Sequence, residues 1–302
     1  MAKEANSKKL RGIGFFSNWL GSAIKGSFDG ADRGFASNAH NGNKLTELKR
    51  GIVGGIWHPD LDKINNDEES WKRWKRMLED GDPLVPSQMV NYVGAHDNLT
   101  LYDKIDKSAA NETDDIKAKM YKLCYSTILT TRGLIMIPEG DEFMRTKFGN
   151  NDSYSAGDAV NGVNWERKRT FKSIFEYIKG LIKLRKEHPA FRMSDPNEIR
   201  EKLTFLKLPE DDIVGYTISD HANGDVSDKI VVVHNGDWQQ KEVKLPCKGW
   251  SVLVNGEKAG TDVIENIDDD KVIVPAHTTM VLSDSESLNK AKDKEKGKGI
   301  EV

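Results

Sequence analysis

The string Asn91-Tyr92-Val93-Gly94-Ala95-His96-Asp97-Asn98 sets an imidazole, a carboxylate and an amide in succession after an apolar run. Parallel α/β folds place their chemistry at such a strand exit. Once the strand has ended, the adjacent side chains of His96 and Asp97 can both reach one cleft. On the tripeptide alone, however, Asp97 or Asn98 capping a helix that starts near Leu99 is the simpler account. A second string, Gly133-Leu134-Ile135-Met136-Ile137-Pro138-Glu139-Gly140-Asp141-Glu142-Phe143, again runs an apolar strand into acidic residues. Adjacent carboxylates diverge, so Asp141 and Glu142 make a poor acid/base pair, and a strand-exit charge held by Arg145 explains them more plainly. The third string spans Gly149 to Trp165 and holds Asn151, Tyr154, Asp158 and Asn161. Its amide, hydroxyl and aromatic groups suit sugars, whose hydroxyls need hydrogen-bond partners and whose C–H faces stack on rings, although ordinary turn chemistry produces the same composition.

Other chemistry finds no support. There is no phosphate-cradling GxxxxGK[ST], no HExxH and no GxSxG. His188 and His234 stand apart from other reactive residues, and no acidic cluster has metal-ligand spacing, so neither a metal nor a cofactor is expected. The two cysteines, Cys124 and Cys247, are too few for a disulfide framework, and Cys124 falls on the apolar stripe of a helix, where a buried, inert thiol is expected.

These strings need elements to position them. Ile13–Phe16, Val85–Val93 and Leu134–Ile137 read as strands, the last as one buried on both faces. Trp19–Lys25, Lys44–Val53 and a segment carrying Trp71, Trp74 and Leu78 read as helices. Ile116, Met120, Leu123, Cys124, Thr127 and Ile128 repeat at three-four spacing, as do Phe171, Ile174, Phe175, Ile178, Leu181 and Ile182 before Pro189. Strands alternating with helices predict parallel βα units. Past Phe191 the texture changes to short strands at Leu203–Leu208, Ile213–Ser219, Lys229–His234, Lys241–Leu245, Trp250–Val254, Lys271–Val274 and Thr279–Leu282, separated by Asn-Gly turns. That pattern predicts an antiparallel β-sandwich.

The 302 residues are a soft prior for two domains. The expected organisation is a polar segment over 1–11, an α/β domain over 12–193, a β-sandwich over 194–284 and a charged, disordered tail over 285–302. Forty-five Lys and Arg against forty-eight Asp and Glu leave a net charge of −3, which excludes the basic footprint of a dedicated nucleic-acid binder. The longest aliphatic runs fall far short of the ~20 residues of a membrane span. Met1 to Arg11 lacks an apolar signal core, so a cytoplasmic product is expected if Met1 is the working start.

Together the three strings resemble the C-terminal part of type I pullulanases, debranching members of the α-amylase superfamily. Tyr92-Val93 through His96-Asp97-Asn98 looks like that family's fourth signature region after the seventh barrel strand, and Gly133 to Phe143 looks like the eighth strand. Asn151 to Trp165 matches the family's Asn/Ser/Tyr…Asp…Asn…Trp loop, and Phe171 to Met193 resembles the eighth helix. The resemblance implies a partial (β/α)8 barrel, about strands six to eight, followed by the family's β-sandwich. It further implies α-1,6-glucosidic hydrolysis with retention, which needs a nucleophile and a general acid/base about 5 Å apart. Asp97 then corresponds to a third carboxylate that stabilises the transition state, and His96 to the neighbour bonding the same glucose. Tyr92, Asn98, Asn151, Tyr154, Asp158 and Asn161 are the implied substrate contacts. The family's nucleophile and acid motifs occur nowhere in the sequence, and Phe16-Ser17-Asn18 and Gly21-Ser22 depart from its Phe-Asn-Asp and Arg-Asp near strand six. The implied partners are an α-glucan and the remaining half of a barrel. The competing reading is a non-catalytic α-glucan-binding or assembly subunit that completes a partner's barrel.

Overall fold

The structure, a computed structural model, describes residues 9–10, 12–38, 42–61, 85–208 and 212–298. The helix expected around Trp71, Trp74 and Leu78 and most of the polar segment before Gly12 lie outside the described residues.

The first layer is a three-stranded parallel sheet in the order β1-β2-β3, formed by Phe15–Phe16 (β1), Met89–Asn91 (β2) and Leu134–Ile135 (β3). Phe15 registers with Met89, and Asn91 with Ile135. The strands are shorter than the apolar runs that predict them. Pro86 has no N–H to give to a ladder and instead opens a 3-10 turn over Pro86–Gln88, so β2 begins only at Met89.

Helices follow each strand: Asn18–Lys25 (α1) and Gly42–Ile52 (α2) after β1, Leu101–Ser108 (α3) and Asp114–Thr130 (α4) after β2. After β3 come Asp158–Asn161 (α5), Glu166–Thr170 (α6), Lys172–Glu187 (α7) and Pro196–Lys202 (α8). Helix α4 is central rather than amphipathic, because every residue from Met120 to Thr130 is buried. Its buried hydroxyls are satisfied locally, Ser126 Oγ donating to the Lys122 carbonyl at 2.8 Å and Thr130 Oγ1 to that of Ser126 at 2.8 Å. The carbonyls around its C-terminus are held by Arg185 of α7, whose guanidinium donates to Leu129, Thr131 and Gly133 at 2.9, 2.7 and 2.8 Å. Cys124 is buried in this helix, and burial pushes its thiol up to about 12, which keeps it inert.

The expectation for Leu134–Ile137 is corrected. Only Leu134–Ile135 is strand, and Leu134 is 49% exposed rather than buried on both faces. Among the described residues β3 is an edge, paired with β2 alone. Its open side meets a cavity of about 560 Å³ lined by Leu129, Ile135, Ile137, Ile182 and Met193.

Among the described residues the C-terminal region is antiparallel, with eight strands in two sheets. Leu203–Phe205 (β4), Ile213–Ile218 (β5), Ile230–Asn235 (β6), Trp250–Val254 (β8), Glu265–Ile267 (β9) and Thr278–Asp284 (β11) form one sheet in the order β4-β5-β6-β11-β8-β9. Lys241–Lys244 (β7) pairs with Lys271–Val274 (β10) as a two-stranded ribbon. Val231, Val233, Trp250, Val252 and Leu282 pack with Val243, Val272 and Val274 between the two sheets. The opposite face, with Val214, Tyr216, Val232 and Val281, belongs to the same core as α1, α4 and α7. The stretch expected as a disordered tail is helical over Ser285–Lys298 (α9). Leu288 anchors it in the core, Glu286 pairs with Lys290 one turn on, and Lys, Glu and Ala favour the helix. Among the described residues no helix is long and apolar enough to cross a membrane.

Candidate active site

The site is built at the C-terminal end of β2, the central strand of the parallel sheet. Asn91 closes that strand with a fully buried amide, which donates to Thr131 Oγ1 at 2.9 Å and to the Arg132 carbonyl at 2.7 Å. Its Oδ1 accepts from Ser17 Oγ at 2.8 Å, so one side chain ties the ends of β1, β2 and α4. Tyr92 follows, buried between the rings of Phe16 and Phe28 with centroids 5.4 and 5.6 Å away, its hydroxyl donating to Asn18 Oδ1. Helix α1 approaches this point so closely that a Cβ on Gly21 would lie 2.6 Å from the Tyr92 carbonyl oxygen. Gly94 is fixed in the same way by the buried carboxylate of Asp141, 2.9 Å from where a Cβ would sit.

Beyond this packed base the chain turns outward. The His96 and Asp97 side chains are 91% and 74% exposed and approach to 3.4 Å. Asn98 adopts φ +64°, a left-handed conformation that Asn tolerates better than most residues, and its amide donates to Asp29 Oδ2 at 2.6 Å. Neither Asp97 nor Asn98 caps a helix. Thr100 does, its hydroxyl accepting from the Asp103 N–H at 3.1 Å at the start of α3. That removes the simpler account of Asp97.

The second acidic string separates as its spacing predicts. Glu142 turns back to accept from the Gly140 N–H at 3.0 Å. Asp141 points inward, where Tyr125 Oη donates to its Oδ2 at 2.6 Å, and burial pushes its carboxyl up to about 7. Lys25, also buried, has its ammonium 3.7 Å from the centre of the Phe28 ring, and burial lowers it to about 7. Arg145 does not bond the Asp141 carboxylate. It lies along Gly140 and donates to the carbonyls of Glu139 and Asn161.

The third string forms a loop, and Lys147, two residues before it, links the chain there to the strand end, its ammonium donating to the His96 carbonyl at 3.1 Å. The same loop segment is moored on Asp103, which accepts from the Lys147 N–H at 2.8 Å. Turn chemistry accounts for Asn150 and Asn164, each accepting from the N–H two residues on. Asn151, Tyr154 and Asp158 are exposed, while Asn161 is half-buried and donates to the Ser153 carbonyl at 2.6 Å. Trp165 stacks obliquely on Phe143 at 5.5 Å, and a cavity of about 330 Å³ opens beside Phe143, Phe148, Asp158 and Arg167. The structure thus gathers Tyr92, His96, Asp97 and Asn98 at one strand end and sets Asn151, Tyr154, Asp158 and Asn161 on a separate loop segment joined to it.

Residues 199–258 match the family described as pullulanase, all-beta domain. The pullulanase of Bacillus subtilis (strain 168) is 35% identical over 245 residues, covering 80% of this chain and 31% of that protein. Among solved structures, type I pullulanase from B. subtilis str. 168 complexed with maltose superposes with a TM-score of 0.81 at 31% identity, over 94% of this chain and 37% of the other. A D470A mutant of the Paenibacillus barengoltzii pullulanase complexed with maltotetraose gives 0.77 at 33% identity, over 94% and 40%. The chain is related to the pullulanases. It spans about a third of the length of the B. subtilis relative, 31% of it.

Several residues around this strand end carry no signal in the sequence. Ser17 and Asn18, which depart from the pullulanase pattern, serve Asn91 and Tyr92. Asp29, Lys25 and Lys147 come from loops and helix ends with no motif of their own. Among the described residues no group of three or more His, Cys, Asp and Glu could hold a metal. The lone histidines are structural, His188 Nδ1 meeting Asp225 at 3.0 Å and His234 Nδ1 meeting Thr279 at 2.8 Å.

Proposed function

We propose that the chain is the C-terminal part of a pullulanase-like catalytic barrel with its β-domain, acting in retaining hydrolysis of α-1,6-glucosidic branches. The observation that carries this reading is the His96-Asp97-Asn98 turn, exposed at the end of the central parallel strand and held on a rigid base. In this reading β1, β2 and β3 are staves six to eight of an eight-stranded barrel, and the open edges of β1 and β3 receive the others. Asp97 faces the anomeric centre. As the glycosidic bond stretches, positive charge grows there, and a fixed carboxylate stabilises that state more than the neutral ground state. His96, 3.4 Å from Asp97, donates a hydrogen bond to the same glucose. Asn151, Tyr154, Asp158 and Asn161 meet sugar units further along the α-glucan, where amides and rings match hydroxyls and C–H faces.

In this reading the nucleophile and general acid come from a segment outside these 302 residues, because neither of the motifs that the family resemblance implies for them occurs in the sequence. Residues 1–302 alone are therefore expected to release no reducing ends from pullulan above background. The same chain mixed with a polypeptide supplying the remaining strands is expected to do so. Hydrolysis by the purified chain alone, scaling with its concentration, overturns the assignment of nucleophile and acid to another segment. The second reading, a glucan-binding or assembly subunit without hydrolysis, is favoured by the missing motifs. It is the result if the complemented chain retains maltooligosaccharides yet releases no reducing ends.

A further inference from the structure

The turn bearing Asp97 does not hold its shape by itself. Asn98 sits at φ +64°, where a non-glycine residue is held at a cost, and the Asp97 side chain is 74% exposed. Asp29 supplies the constraint. One of its carboxylate oxygens accepts from Asn98 Nδ2 at 2.6 Å and the other from the Leu99 N–H at 3.1 Å. Asn98 and Leu99 are the next two residues after Asp97, so the two bonds hold the chain that follows it and limit the directions its side chain can take.

Asp29 is itself anchored. The Gly26 to Gly34 loop carrying it is pinched shut, since a Cβ on Gly34 would lie 2.3 Å from the Gly26 nitrogen. Two lysines of α3 grip the loop's carbonyls. Lys107 Nζ donates to the Asp29 carbonyl at 2.7 Å, and the fully buried Lys104 donates to Gly30 and Asp32 at 2.8 and 2.6 Å. On the other side of the turn Lys147 holds the His96 carbonyl at 3.1 Å. The segment from His96 to Leu99 is therefore clamped at both ends, and at the Asn98 end the clamp is a single carboxylate.

We propose that Asp29 is a positioning residue that sets the direction of Asp97 through its bidentate hold on Asn98 and Leu99. The proposal rests on the reading of Asp97 as the transition-state carboxylate. Asp29 touches no substrate; it removes freedom from a group that must be in place before the charge develops.

The test uses Asp29→Ala and the near-isosteric Asp29→Asn. The asparagine side chain still accepts from the Leu99 N–H, but its NH2 group opposes that of Asn98, so half of the clamp is lost. In the 302-residue chain by itself, amide exchange at Leu99 is expected to quicken by about tenfold or more in Asp29→Ala and by less in Asp29→Asn. In the complemented enzyme, kcat is expected to fall by about tenfold with KM changed less than about twofold, because binding groups stay in place while the charge is misaimed. Asp29→Asn should lie between Asp29→Ala and the parent. Unchanged exchange at Leu99 overturns the clamp whatever the enzyme does. Faster exchange with unaltered kcat, or a loss confined to KM, overturns the positioning role. If the complemented parent shows no hydrolysis, the debranching reading fails instead, and the exchange result still decides whether the clamp exists.

Discussion

Asp97 and Asp141 follow neighbouring strands, and their surroundings give the two carboxylates opposite properties. Asp97 stands in water beside His96, with a charge available to a ligand. Because Thr100 caps α3, Asp97→Asn is expected to leave folding stability within ~0.5 kcal/mol while cutting turnover of the complemented enzyme more than tenfold, roughly 1.4 kcal/mol of barrier. His96→Ala should cost less. Retention of more than about a tenth of parental turnover by Asp97→Asn would remove the transition-state role. Asp141 is sealed behind Gly94, its carboxyl raised by burial from 3.8 to about 7. The folded chain therefore holds that proton more tightly than the unfolded chain does. The corresponding stability is fully present below about pH 4 and is lost as pH rises through about 7. Lys25 acts on the alkaline side. Its ammonium is lowered from 10.5 to about 7, so the unfolded chain binds that proton first and stability recovers as pH climbs from 7 toward 10.5. Urea midpoints at pH 5, 7 and 9 should show Asp141→Asn flattening the acid limb and Lys25→Met the alkaline one. Parallel profiles for parent and variants would deny both groups this role.

At the scale of elements, the edge of β3 is the exposed liability. Leu134 is half-exposed beside an apolar cavity rimmed by Arg185, Lys186 and Arg192, and a free strand edge templates further pairing. The isolated chain is expected to self-associate, with a mass by light scattering that rises with concentration. Leu134→Lys should return it toward the monomer without loss of cooperative unfolding. A clean monomer for the parent chain at all concentrations would contradict this. The same strand marks the limit of what the sequence reveals. A four-residue apolar run specifies strand but not whether a neighbour covers it, because that is decided by chain elsewhere. Helices α4 and α7 were legible from their three-four spacing, although α4 proved buried on nearly all sides once the β-sheet packed over its other face. Helix α3 shows in the sequence only as a start near Leu99, and the exposed Glu265 and Asn266 hide β9. At the site, His96 and Asp97 were readable because a strand exit delivers them. Asp29, 68 positions before Asp97, becomes part of the site only through a fold contact that no local pattern encodes.

For the whole molecule, the change of texture near residue 193 separates kinds of element but not cores. The six-stranded sheet buries Val231, Val233 and Val252 against the β7–β10 ribbon. Its other face buries Val214, Tyr216, Val232 and Val281 in the core shared with α4. Polar contacts cross the same boundary. Tyr216 Oη donates to the Thr130 carbonyl at 2.9 Å, and the buried Arg132 guanidinium lies 5.4 Å from the Tyr216 ring centre. A β-domain cut out as residues 194–298 keeps the inner core between its sheets but opens the face that α4 covers. An apolar surface of that kind drives association in water. The excised domain is therefore expected to bind a hydrophobic dye and to form higher-order species, even though all the strand pairings of its two sheets lie within it. In the intact chain, the shared core should make both regions melt together. Tyr216→Ala, which empties a large buried site, should shift that single transition downward by about 3–5 kcal/mol of stability rather than split it. Two separate transitions in the parent chain, or a dye-silent monomer from residues 194–298, would show that the β-domain stands alone and that its contact with α4 contributes little to the fold.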